Sequence, residues 1–411
     1  MDSSFKKNVI KLMSGSLIVQ LINFGVQPII TRLYSPSDYG VLSIVTSTLG
    51  VLGIIGFCSY ERAIPIIKED RDALALAKSL LIYITCLTAF AVSVVVLFHF
   101  VINFGAPFIL YLVCPLLFGI TLFDTVLTNL NYRMGSYGAV AKRKVIVVIV
   151  SAVLQISFGW FKFGANGLLV SLLICTCLGA FLIGINYFTP LRQSSTVDKK
   201  VFYQYKRLAL IETPQNLINT FSIQFPVYFL THYYSLSVTG QYGLAIKLIS
   251  VPALIITSSF SDVFIQKFAK LYNSNGDYRS FTVSIWKKLL YFGAIPTVIL
   301  LIGAPQIFTI IFGSNWLMAG QIARIMCIST FIAIFSGSTL FAFMIMNKGR
   351  IMFIYSILLF ITRAIGMYIL INNLWYGLYF YVFSEAVIRL IWLYLLHKLM
   401  LKEKFLLNKG V

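Results

Sequence analysis

Apolar runs long enough to cross lipid follow one another almost without a break from residue 9 to residue 396. A transmembrane helix needs about 20 consecutive apolar residues, and nearly every stretch of this chain supplies them. Hydrophobic residues make up 59% of the chain and charged residues 11%, where a soluble domain carries about 25% charged residues. Mean hydropathy is +0.88. A soluble core of 411 residues has no interior large enough to hide so much apolar surface. A soluble enzyme, a secreted disulfide scaffold and a disordered chain are excluded. The expectation is an all-α integral membrane protein of about 12 transmembrane helices.

The formal net charge of +20 has two readings. Nucleic-acid binding would gather the cations on one face, whereas membrane orientation places them in alternate connections. With the N-terminus inside, 27 of the 33 Lys and Arg residues fall in connections on the cytoplasmic side, and only Arg32 and Lys162 fall on the other. The remaining four, Lys247, Arg324, Arg363 and Arg389, lie within spans. This asymmetry predicts an even number of spans with both termini cytoplasmic, and it removes nucleic acid as a partner. Residues 1–11 are basic and lead into a run long enough to span, so they read as the start of the first membrane helix.

The two halves of the sequence repeat. Arg32-Leu33-Tyr34-Ser35 is followed by Tyr39-Gly40, and His232-Tyr233-Tyr234-Ser235 by Tyr242-Gly243. Six spans per half give both halves the same orientation, so the repeat is parallel. The expected organisation is an N-terminal six-helix lobe at 1–189, a cytoplasmic linker at 190–207, and a C-terminal six-helix lobe with a short tail at 208–411. Two such lobes are the architecture of a transporter with a central cavity.

Catalytic and metal-binding readings find little support. The three histidines sit at predicted membrane edges, and the six cysteines lie inside spans without metal-type spacing. No phosphate-binding glycine loop occurs, so no cofactor, no metal and no enzymatic activity are expected. Intramembrane charge is the sharper signal, since each such residue costs about 2.5–3.5 kcal/mol on insertion scales. Glu385 and Arg389 are four apart and can neutralise each other. Lys247, Arg324 and Arg363 have no acidic residue three or four positions away. They are expected to pair across helices or to line a wet cationic cavity, with Arg32 near its outer mouth. Gln20, Asn23 and Gln27 in the first span, and Gln215, Asn216 and Asn219 in the seventh, are candidate polar cavity residues. Glu212 beside Pro214 is a candidate coupling carboxylate, with helix-start stabilisation as its bland alternative. Pro28 and Pro226 occupy comparable positions in the two halves and are candidate hinges.

The stretch Thr31-Arg32-Leu33-Tyr34-Ser35-Pro36-Ser37-Asp38-Tyr39-Gly40, with Tyr60-Glu61-Arg62-Ala63, Asn166-Gly167-Leu168 and Gly240-Gln241-Tyr242-Gly243-Leu244-Ala245, resembles bacterial polysaccharide flippases. These are the Wzx-type O-antigen and capsule-unit translocases of the multidrug/oligosaccharidyl-lipid/polysaccharide exporter superfamily. The resemblance implies a MATE-like fold of two lobes with alternating access in the bacterial cytoplasmic membrane. It also implies a polyprenyl-diphosphate-linked oligosaccharide as cargo. Membrane lipid, a polysaccharide polymerase and chain-length machinery would then be its partners. The competing readings are a drug or metabolite antiporter of the same superfamily and a membrane polysaccharide polymerase.

Overall fold

The computed structural model describes residues 3–102, 108–193, 199–274, 276–346, 348–369, 371 and 373–408. Twelve helices of 21 residues or more order the described chain. They are α1 Ser3–Leu33, α2 Pro36–Phe57, α3 Asp70–Ile102, α4 Phe108–Arg133, α5 Tyr137–Trp160 and α6 Gly164–Gly184, then α7 Thr213–Tyr233, α8 Leu236–Asn273, α9 Tyr278–Phe312, α10 Leu317–Thr339, α11 Gly349–Ile369 and α12 Leu374–Asn408. Ten candidate spans pass the length and apolarity needed to cross a membrane, and neither α5 nor α7 is among them. The reason is composition: α5 carries Lys142-Arg143-Lys144 in its second turn, and α7 carries Gln215, Asn216, Asn219 and Gln224. This is a multi-pass helical membrane protein.

The chain divides into two compact units, Met1–Thr220 and Phe221–Val411. The division falls inside α7 and not along the connection at 190–207. In the N-terminal unit, Val201 and Tyr187 join Ile64, Leu76, Ile84, Leu122 and Leu130 in one buried cluster, with Phe202, Tyr205 and Leu208 packed on it. Apolar side chains at this spacing bury themselves on protein, so the connection belongs to the unit it leaves. Tyr60 reinforces this, stacking edge-on against Phe202 at 5.2 Å and donating to its carbonyl at 3.3 Å.

The parallel repeat is built from the same pairs of helices in each unit. Helices two and three, two and four, three and four, four and six, and five and six pack together in both. Both second helices start on a serine cap: Ser35 accepts from the Asp38 amide in a capping box, and Ser235 accepts from the Val238 amide. These caps set an offset of 200 residues, so Gly40 matches Gly240 and Tyr39 matches Thr239; the Tyr39/Tyr242 pairing is three residues out of register. Tyr34 Oη donates to the Gln155 carbonyl at 2.8 Å, and Tyr234 Oη donates to the Ile371 carbonyl at 2.9 Å. Each ties the end of its unit's first helix to the end of the fifth.

Close approaches rest on particular glycines. A Cβ on Gly159 would lie 2.8 Å from Leu33 Cβ and 2.9 Å from Tyr34 Cε2. In α2, Gly56 meets Leu122 and Phe118 of α4, while Gly53 faces open space. The tryptophans differ in their surroundings. Trp160 is 76% exposed, but Trp316 is fully buried, and Trp392 stacks on Tyr355 at 4.6 Å.

Candidate functional site

The C-terminal unit holds a charged network in its interior. Glu385 on α12 accepts from Arg363 Nη2 of α11 at 2.5 Å, from Ser329 Oγ of α10 at 2.5 Å, and from Arg389 one turn along its own helix. Arg363 Nη1 also donates to Ser222 Oγ of α7 at 2.8 Å. Arg389 Nη1 donates to Ser336 Oγ at 2.8 Å and to Tyr355 Oη at 3.2 Å. Arg363 and Glu385 are only 4% and 3% exposed. Two guanidinium groups around one carboxylate leave an unbalanced positive charge, and Arg363 Nε is buried with no partner. In low dielectric such a network is stable only while every member keeps its partner. It locks four helices together.

Of the two expectations for Arg363, the structure shows the pair across helices: its guanidinium is bonded to Glu385. Its partner lies 22 positions away on the next helix, beyond any local spacing rule. Lys247 and Arg324 are exposed, Lys247 beside the buried Leu248 of α8 and Arg324 between the buried Ala323 and Ile325 of α10. Arg324 has no ion pair among the described residues. Arg32 is exposed in the last turn of α1.

The amides of α1 do not share one role. Gln27 is 1% exposed and donates to Tyr39 Oη at 2.6 Å, a link between the first two helices. Thr231 and Thr239 make the matching link in the second unit, with their hydroxyls 3.0 Å apart. Gln20 is half-buried, and Asn23 lines a cavity. On α7, Gln215 and Asn216 are half-buried and Asn219 is exposed. Pro28 and Pro226 lie within helices that continue past them. Glu212 ends a π-helical segment, Leu208–Glu212, that leads into α7; it sits 3.5 Å from Arg62.

Sequence reasoning overlooked the cavity that Asn23 lines. It lies within the N-terminal unit, between α1, α4, α5 and α6, with a volume of about 320 Å³. Arg143 of α5 is ion-paired with Asp124 of α4 at its edge. Gly179 leaves room for that pair, since a Cβ there would be 3.2 Å from Arg143 Nη1. Lys144, Ser151 and Thr176 complete the polar lining. The signal was present in Lys142-Arg143-Lys144, but the count of orientation charges absorbed it. A separate groove of about 710 Å³, lined by Leu81, Phe123, Leu127, Phe181 and Ile185 with Arg192 at its edge, is almost entirely apolar.

Comparison with known proteins decides the family. Residues 29–321 match the family described as polysaccharide biosynthesis protein. The chain belongs to that family. Within the polysaccharide biosynthesis proteins, it is 22% identical over 356 residues to the succinoglycan biosynthesis transport protein ExoT of Rhizobium meliloti (strain 1021). That similarity covers 79% of this chain and 66% of ExoT, so the chain spans just under two thirds of that relative. The fold is similar to that of the lipid II flippase MurJ in an inward closed conformation, with a TM-score of 0.74 and 12% identity over 98% of this chain and 93% of MurJ. It is also similar to an inward-facing multidrug resistance MATE transporter of the MOP superfamily, with a TM-score of 0.71 and 14% identity over 96% of this chain and 99% of the other. At such identities the likeness establishes a shared fold, the one the sequence resemblance implied.

Proposed function

We propose that this polysaccharide biosynthesis protein is a flippase. It moves a polyprenyl-diphosphate-linked oligosaccharide, an O-antigen, capsule or exopolysaccharide repeat unit, from the inner to the outer leaflet of the bacterial cytoplasmic membrane. Family membership together with a flippase-like fold is the observation that carries this reading. The residues support it in kind. Arg324 is a guanidinium exposed on an apolar helix with no acidic partner among the described residues, and lipid would not tolerate it there. A water-lined path for a diphosphate would accept it, because guanidinium and phosphate make strong charge-assisted hydrogen bonds. Lys247 is assigned to the same path, and Arg32 to its outer mouth. Gln20, Gln215, Asn216 and Asn219 are the amides available to sugar hydroxyls. Pro28 and Pro226 are proposed as the points where the first helix of each unit bends as access alternates. Glu212, 3.5 Å from Arg62, is the proposed coupling carboxylate.

The test is reconstitution. Proteoliposomes holding the full chain should move a fluorescent polyprenyl-diphosphate oligosaccharide between leaflets, and empty liposomes should not. The similarity to MATE transporters keeps one rival open, an antiporter for drugs or metabolites. Ion-driven drug uptake by the same vesicles, without movement of the lipid-linked sugar, would decide for that rival.

A further inference from the structure

The cavity inside the N-terminal unit is donor-rich in a way that orientation charges do not require. Arg143 spends one nitrogen on Asp124, while its Nε is buried without a partner. Lys144 lines the same cavity, half-buried, and forms no ion pair among the described residues. Lys144 and Ser151 are seven apart on α5 and therefore share a helical face. Ser151 Oγ accepts from Gln155 at 2.8 Å and bonds the Cys175 sulfur, so its hydroxyl is already engaged. Asn23 adds an amide from α1. Against these donors stands a single carboxylate, Asp124, already neutralised. The local balance is one uncompensated positive charge with unspent N–H groups on Arg143, Lys144 and Asn23.

We propose that this cavity binds a phosphoryl group. A metal cation is disfavoured, because two cationic side chains face one carboxylate. A purely apolar ligand would strand the donors, at a cost of about 1–3 kcal/mol for each buried one. A phosphoryl oxyanion satisfies both requirements, since it carries negative charge and accepts several hydrogen bonds at once. The volume of about 320 Å³ holds a diphosphate with its waters. Arg143 and Asp124 retain 12% and 21% side-chain exposure, so the site is not sealed. Two sources share this chemistry, a free phosphate anion and the phosphate end of a lipid. If the chain is the flippase proposed above, the second source is its cargo. Arg143 and Lys144 place the cavity beside the basic end of α5, on the side that the charge count predicts to be cytoplasmic, where it would receive the diphosphate before translocation.

Binding is measured by calorimetry on the full chain in phosphatidylcholine nanodiscs, with inorganic pyrophosphate and farnesyl diphosphate as probes. Lys144→Ala should weaken binding by at least about tenfold, a loss of about 1.4 kcal/mol, with an unchanged thermal midpoint because no ion pair is broken. Lys144→Arg should restore most of the affinity. Asp124→Asn should tighten binding, because it frees Arg143 and adds a net positive charge. Tighter binding of farnesyl diphosphate than of pyrophosphate identifies a lipid source, and equal affinities identify a free anion; either supports the site. Undiminished binding in a folded Lys144→Ala protein, or no binding of either probe to the wild type, overturns it. Export of surface polymer in cells is scored separately. Loss of probe binding with intact export removes this site and leaves the flippase reading standing. Binding through Lys144 by a protein that flips no lipid-linked sugar does the reverse.

Discussion

Arg363 and Glu385, from adjacent helices of the C-terminal unit, share a hydrogen-bonded ion pair of 2.5 Å in which both side chains are at least 95% buried. Removing one partner of such a pair leaves an uncompensated charge in low dielectric, at a cost of about 3–5 kcal/mol. Glu385→Gln should therefore destabilise strongly, because it strands Arg363 and Arg389 together. Arg363→Met should cost less, since Glu385 keeps Arg389 and Ser329. Thermal unfolding in detergent should rank the wild type above Arg363→Met, and Arg363→Met above Glu385→Gln. An unshifted midpoint for Glu385→Gln would refute the role of the network.

Arg324 should separate function from stability. Its side chain is exposed, and its removal breaks no ion pair among the described residues. Arg324→Ala is expected to accumulate in the membrane at the wild-type level but lose most export, with Arg324→Lys keeping part of it. Quantifying surface polymer against protein level checks this; full export by Arg324→Ala would remove it from the cargo path.

The matched tyrosine bonds give a paired prediction. Tyr34→Phe and Tyr234→Phe each delete one equivalent hydrogen bond and should each cost about 1 kcal/mol. Gly159→Ala should cost more, about 1–3 kcal/mol for overpacking, because its Cβ would press on Leu33 and Tyr34. Denaturation of the three variants tests the order.

Glu61, in the 3-10 turn Tyr60–Ala63 between α2 and α3, predicts a pH dependence. Burial raises its pKa above the ordinary carboxylate value, against the opposing pull of its own backbone bond and of Arg62. Its Oε2 is buried without a partner. A carboxyl whose folded pKa lies above the unfolded one binds more protons when folded. Its contribution is greatest below the unfolded value and is lost as pH rises through the folded one. Glu61→Gln should therefore be more stable than the wild type at neutral pH, with the gap closing as pH falls through the carboxylate range. Parallel stability–pH curves would contradict this.

Orientation is open to labelling. In a cysteine-free background, Ser37→Cys and Ser237→Cys, both exposed at the start of the two second helices, should react with an impermeant maleimide outside intact cells. Ser274→Cys, at the end of α8, should react only after permeabilisation. The opposite pattern would invert the topology.

The sequence by itself determined the membrane class, the helical architecture and the parallel repeat. Each of these follows from local regularities: apolar run length, alternation of basic connections, and the recurrence of Tyr34-Ser35 at Tyr234-Ser235, although the register of that repeat came only from the caps at Ser35 and Ser235. Tertiary structure alone decided which charges are spent. Arg363 and Arg324 look alike in the sequence, each a lone cation in an apolar run, yet Arg363 meets Glu385 from a neighbouring helix and Arg324 meets no carboxylate among the described residues. Asn23 and Gln27 are one helical turn apart, yet Gln27 is used up by Tyr39 while Asn23 opens on a cavity. The physical reason is range. Hydropathy and capping are set by residues within a turn or two, whereas charge neutralisation in a membrane depends on which helix faces come together. That pairing is fixed by packing among segments tens to hundreds of residues apart, and no local spacing encodes it.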